Sequence, residues 1–202
     1  MRRVFFAISF DEATNRQLAQ VQRSIQPLLS RGRFTDAGSF HLTLQFVGEI
    51  EEEQLEGLMN QQVHQQVLTE PPTSVPTSVP TSPFSLCMCG LGSFEKRRRH
   101  ILWVGLESNN TLHALAMGLR ACLAGKGFST ATPFHPHVTL ARECVFTDEA
   151  AQAAYRNRKV ALPPVSVEAY TLMESKRIEG RLVYLPLKHF PLKDLPHYHS
   201  LF

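Results

Sequence analysis

Two short stretches carry residues able to do chemistry: His41-Leu42-Thr43-Leu44 and His137-Val138-Thr139-Leu140. Each sits in a run of alternating character, so each is read as a strand, Phe40 to Val47 in the first half and His137 to Ala141 in the second. In a strand, residues i and i+2 share a face. Each motif therefore sends an imidazole and a hydroxyl one way and its apolar residues into a core. Two such strands facing one cleft would offer two histidines and two threonines to a single ligand. That inventory suits cleavage of a phosphodiester without a metal. One ring, neutral, takes a proton from the attacking water, and the other, charged, gives one to the leaving oxygen. The hydroxyls donate to non-bridging oxygens, where negative charge must be stabilised. A lone His-x-Thr carries little weight, because any strand can hold one and a structural histidine explains it. Recurrence in two halves is a different matter.

The elements that must hold these residues can be read around them. Arg3 to Phe10 is β-branched and aromatic, hence a buried strand. Asp11 is an N-cap for a helix with Leu18, Val21, Ile25 and Leu28 on one face, limited by Pro27. Arg31 to Ser39 reads as a connection, and a second helix starts after Glu51. Phe84 to Gly90 and Ile101 to Leu106 are predicted strands, Thr111 to Leu123 a helix, and Asp148 to Lys159 a helical segment. Val165 to Met173 and Arg181 to Leu187 close the chain as strands. Strands and helices mix without a βαβα rhythm, which predicts an α+β fold.

Composition sets bounds. The 202 residues, 43% apolar and 19% charged, suit one domain over 1–202 or two small lobes sharing one fold. A net charge of +3 is too mild to announce nucleic-acid binding, yet it permits a polyanionic ligand. Cys87, Cys89, Cys122 and Cys144 lack the spacing of a disulfide framework or a zinc site and are read as free thiols. Val4 to Phe10 is far too short for a membrane span or signal peptide, so a cytoplasmic protein that does not engage membranes is expected. Residues 72–83 (PTSVPTSVPTSP) are proline-dense and read as a flexible insertion. Residues 188–202 read as a C-terminal tail without assigned function.

The flanks of the motifs add a resemblance. SFHLTLQFVGEI around His41 and PFHPHVTLAR around His137 resemble the paired motifs of the two-histidine (2H) phosphoesterase superfamily. In particular they resemble its RNA 2′,3′-cyclic phosphodiesterases, also called 2′-5′ RNA ligases. VFFAI, FSLCMCGLGSF, ILWVGL and YTLMESK…GRLVYLPL follow in family order, so the likeness covers nearly the whole chain. It implies a bilobal, pseudo-two-fold fold with two antiparallel sheets flanked by helices around a central cleft. It also implies His41 as proton donor, His137 as proton acceptor, and Thr43 and Thr139 as phosphate-binding hydroxyls; the residues themselves are symmetric and leave the acid/base order open. The implied substrate is RNA with a 2′,3′-cyclic phosphate end, opened to a 2′-phosphomonoester, with 2′-5′ ligation as the reverse reaction. No cofactor, no metal and a monomer are the corresponding expectations.

Other residues weigh less. Arg142 follows the second motif; strict alternation would aim residue 141 at the ligand instead, but the long arginine at a strand end still reaches phosphate, and it is kept as a phosphate-binding candidate. His135 forms an HxH pair with His137, but no third ligand has helpful spacing and a hydrogen-bonded structural histidine is the better reading. His197 and His199 are read as solvent-exposed. The Lys96–Arg99 run (KRRR) is balanced between a solvated loop and a contact to RNA phosphates. Phe46, Phe134 and Trp103 have the chemistry to stack on a base, although their apolar neighbours favour core packing. Three rival functions stand: a phosphodiesterase of the same superfamily for another small cyclic or 2′-5′-linked nucleotide, a non-catalytic RNA- or nucleotide-binding module, and a metal-dependent hydrolase using the scattered histidines.

Overall fold

The computed structural model of the protein describes residues 1–69, 79–80, 82–130 and 133–192. Its strands are β1 (Arg2–Ser9), β2 (Leu29–Phe34), β3 (His41–Ile50), β4 (Phe84–Leu86), β5 (Met88–Lys96), β6 (Arg99–Leu106), β7 (His137–Phe146), β8 (Val165–Val167), β9 (Ala169–Ile178) and β10 (Arg181–Pro191). The helices are α1 (Glu12–Ile25), α2 (Glu52–Met59), α3 (Gln61–Thr69), α4 (Asn110–Gly125) and α5 (Glu149–Asn157). The α+β expectation holds.

The main sheet runs β10-β9-β1-β3-β7-β6-β5, with β2 added along β7, and β4 and β8 form a separate ribbon. All pairings are antiparallel. Its two halves meet at one residue pair, Leu42 on β3 with Val138 on β7. They are related by a pseudo-two-fold. Ser9 on β1 pairs with His41, and Gly105 on β6 pairs with His137; Ala7 pairs with Thr43, and Trp103 with Thr139.

Burial fixes which face each strand turns inward. Leu42, Leu44, Val138 and Leu140 are fully or almost fully buried with Val4, Phe6 and Ile8 of β1 and Leu102 and Val104 of β6. Helices cover this face. Asp11 caps α1 by accepting from the Thr14 N–H at 2.8 Å, a contact of the kind worth about 1 kcal/mol, and Leu18, Ala19 and Ile25 line its inner side. On α4, capped by Asn109, Leu112, Leu115, Leu119 and Leu123 are buried.

Two expectations need correction. The connection over 31–39 contains β2, which the sequence hides because its Arg31-Gly32-Arg33 core is polar and its pairing is to β7 alone. The tail does not begin at Lys188. Residues Lys188 to Pro191 continue β10, Phe190 is fully buried against Tyr170 and His64, and Leu192 is buried too. Pro186 and Pro191 are tolerated because β10 is an edge strand, with only β9 beside it. Residues 193–202, including His197 and His199, lie outside the described residues. So does most of the 72–83 segment; of its described residues, Val79 is buried and contacts the backbone at Gly118 of α4.

Candidate active site

Across the Leu42–Val138 pair, continuing the antiparallel register by one residue sets His41 opposite Thr139 and Thr43 opposite His137. The two core residues point down and these four point up, each half-buried. The four residues singled out in the sequence therefore share one patch, with each histidine beside the other strand's threonine.

The two rings are held alike. His41 Nδ1 lies 2.8 Å from the Ser39 carbonyl, and His137 Nδ1 lies 2.6 Å from the His135 carbonyl. Carbonyls only accept, so each Nδ1 carries its proton and each Nε2 is left free toward the cleft. The residue before each histidine makes this bond available. Phe40 is extended, with φ −64° and ψ 133°, and Pro136 has a ring-locked φ of similar value. This shared tautomer device was not read in the sequence, although the residues behind it (Ser39-Phe40 and His135-Pro136) were in view. His135 itself is exposed, and its part is played by its backbone carbonyl and by its ring against Phe94 and Trp103.

Aromatic rings pack on both imidazoles. Tyr184 of β10 and Phe5 of β1 meet His41 at centroid distances of 4.6 and 5.1 Å. Phe94 of β5 meets His137 edge-on at 5.0 Å. Behind Phe94, Trp103 lies over Gly92, where an added Cβ would fall 2.0 Å from the indole. Only glycine permits that approach. Enclosure disfavours the charged ring: His41 is pushed down to about 4, and His137 is lowered as well. After burial, the Arg142 charge acts in the same direction on both.

That common effect reflects where Arg142 sits. Trp103 pairs with Thr139, but the neighbouring Leu102 pairs with Ala141, so Leu140 is an extra residue, a β-bulge. The bulge turns Ala141 into the core, where it is fully buried, and Arg142 up to the cleft face. Strict alternation predicted the opposite. The carbonyl of Leu140 accepts from the Thr35 N–H and from the side-chain amide of Gln22 on α1, both at 2.9 Å. β3 has the same irregularity: Ala7 pairs with Thr43 and Phe6 with Gln45, leaving Leu44 extra. Phe46 is thereby delivered to the position equivalent to Arg142. It is 45% exposed, which overturns its expected place in the core.

Concavities extend to either side. One of about 290 Å³ is lined by Thr43, Phe46, Phe94, Phe134, His135 and His137. Another, of about 240 Å³, is bounded by Arg142, Arg33, Thr35, Ser39 and Tyr184. The first is aromatic and the second is polar, with Arg33 and Arg142 on its wall and Asp36 as its one carboxylate. Among the described residues, no group of three or more His, Cys, Asp or Glu side chains is placed to hold a metal ion. None of the four cysteines, all among the described residues, is in a disulfide. No helix among the described residues is long and apolar enough to cross a membrane.

The profile of the 2′-5′ RNA ligase superfamily matches residues 11–179. The chain belongs to this superfamily. Among curated relatives, the RNA 2′,3′-cyclic phosphodiesterase of Escherichia coli K12 is 29% identical over 95% of this chain and 97% of its own length. That of Thermus thermophilus is 26% identical over 95% and 90%. Among solved structures, E. coli LigT complexed with 3′-AMP superposes with a TM-score of 0.69 at 28% identity, covering 94% of this chain and 97% of LigT. TT0787 of T. thermophilus gives 0.72 at 25%, covering 95% and 98%. As a superfamily member the chain has the phosphoesterase fold expected from its motifs, with the two motif strands adjacent at the centre of the sheet.

Proposed function

We propose that the protein opens 2′,3′-cyclic phosphodiester ends of RNA to 2′-phosphomonoesters, with His41 and His137 as the acid/base pair. The observation that carries this reading is the matched pair of histidines, each with Nδ1–H fixed on a carbonyl and each set by the register opposite the other strand's threonine. A binding module gains nothing from two such rings. The relatives named above as RNA 2′,3′-cyclic phosphodiesterases supply the substrate class.

In the reaction, His137 Nε2 accepts a proton from a water attacking phosphorus in line with the 3′ oxygen. The P–O3′ bond breaks, and His41 Nε2–H protonates that oxygen, leaving a 3′ hydroxyl and a 2′ phosphate. This order is the one the family resemblance implies; burial holds both rings below their ordinary value, His41 at about 4, so each gives up its proton readily once charged. Burial is the main cause of the lowered His41, and a bound anionic phosphodiester acts against it by favouring the charged ring. Thr43, Thr139 and Arg142 donate to the non-bridging oxygens as charge builds on them. The terminal base fits the aromatic concavity, with Phe46 as a stacking face. Ligation of 2′-5′ ends is the same path reversed, with the two histidines exchanging roles.

The test uses a short RNA ending in a 2′,3′-cyclic phosphate, with excess chelator and a His41→Ala control. A 2′-phosphate product in chelator, lost in the control, is expected. A 3′-phosphate product, or turnover by the control, would reject the mechanism.

A further inference from the structure

The Lys96–Arg99 run is the tip of the β5–β6 hairpin, and its backbone is unusual. Lys96 pairs with Arg99, so Arg97 and Arg98 are the two turn residues, with φ of +52° and +61°. Two successive left-handed residues define a type I′ turn, whose favoured sequence is Asn-Gly. Arginine has no conformational advantage there, and a β-carbon in this region is strained. The turn therefore carries two charges at the expense of its own stability. Arg97, Lys96 and Arg99 line a concavity of about 500 Å³ together with Arg33 of β2 and Arg142 of β7. Arg33 and Arg142 also line the smaller polar concavity beside Tyr184, so the basic surface is continuous with the cleft. Glu143 is the acidic residue lining it, 3.4 Å from Arg99. Arg33, Lys96 and Arg97 have no ion-pair partner among the described residues.

We propose that this surface, from Arg142 through Arg33 to the β5–β6 hairpin, is a phosphate track that binds the RNA backbone on the 5′ side of the reacting end without reading its sequence. The inference rests on the reading of the cleft given above and extends it: the preferred substrate is a polynucleotide, not a cyclic mononucleotide. Five cations, of which Arg33, Lys96, Arg97 and Arg99 are exposed, outnumber the two carboxylates along this surface, Asp36 and Glu143, and long basic side chains meet every phosphate alike rather than reading base edges.

The hairpin offers a variant that separates charge from folding. Lys96→Gln, Arg97→Asn and Arg98→Gly together remove three charges while installing the preferred turn residues. The variant is expected to melt at or above the wild-type temperature. Binding is read by fluorescence anisotropy with a labelled RNA of about ten nucleotides ending in a 2′-phosphate, and turnover with the same RNA ending in a cyclic phosphate. Both should weaken about tenfold at low salt, and the dependence of log K on log salt should become shallower by about two. Turnover of a cyclic mononucleotide, which does not reach the hairpin, should stay within twofold. Equal wild-type kcat/KM for mononucleotide and RNA, or equal losses on both, would overturn the track. Absence of turnover on every cyclic phosphate would reject the catalytic reading instead, and the anisotropy comparison would still decide the track.

Discussion

The halves around Leu42 and Val138 repeat one another as far as the bulge and then part company. His41 and His137, Thr43 and Thr139, and the extra residues Leu44 and Leu140 correspond one to one. The next residue raised to the cleft is Phe46 in one half and Arg142 in the other. Where chemistry needs an acid and a base that exchange roles with direction, the halves are alike. Where a ligand must lie in one orientation, they differ. An aromatic face on one arm and a guanidinium on the other give the cleft a polarity that two identical motifs could not supply.

The largest expected effects test the symmetric part. His41→Ala and His137→Ala should each lower kcat by about 10³-fold or more, because each removes a proton-transfer group that the other cannot replace. Their double variant should be little worse than either single one. A single variant with near-normal turnover would end the two-histidine mechanism. The asymmetric part comes next. Arg142→Met should lower kcat/KM about a hundredfold, with much of the loss in kcat, since negative charge on the non-bridging oxygens must be stabilised in the transition state. Phe46→Ala should raise KM about tenfold with little change in kcat, the signature of a stacking contact made equally in ground and transition states. Matching kcat losses at both positions would erase the distinction between the arms.

How much of this lay open in the sequence follows from the same residues. The shared face of His41 with Thr43, and of His137 with Thr139, is a local property of any strand, so period-two reading suffices. The faces of Phe46 and Arg142 are not local. Alternation places both wrongly, because one extra residue inverts everything beyond it. What accommodates the second bulge is partly Gln22, 118 residues away on α1, whose amide binds the Leu140 carbonyl. No window of sequence around Arg142 contains that contact. The polar strand β2 was hidden for a related reason: its place is fixed by pairing with the bulged β7, not by an apolar stripe of its own.

The histidine environments give a prediction in pH. Both rings are lowered from their ordinary value, His41 to about 4, so the free protein loses the proton it needs as pH rises through a range below 6.5. The substrate stays anionic throughout and raises both rings when bound. Accordingly kcat/KM, which reports the free protein, should fall on its alkaline side at lower pH than kcat, which reports the complex. Separation of the two limbs by about one unit would appear as a tenfold difference in relative rate at a fixed pH. Coincident limbs would mean that the bound phosphate does not reach the rings.

The smallest expected effect concerns the device behind the asymmetry. Gln22→Leu removes one of the two donors to the Leu140 carbonyl, together with the donor to the Thr35 carbonyl at 2.7 Å, and leaves the Thr35 N–H in place. A loss of about 1 kcal/mol in stability is expected. If Gln22 acts by holding the bulge that raises Arg142, kcat/KM should fall about fivefold in the wild-type background and hardly at all when Arg142 is already Met. That non-additivity is the informative quantity, because residues coupled through one backbone distortion do not add while independent ones do. Equal effects in both backgrounds would show that Gln22 supports the fold in general and that the aim of Arg142 is set by β7 alone.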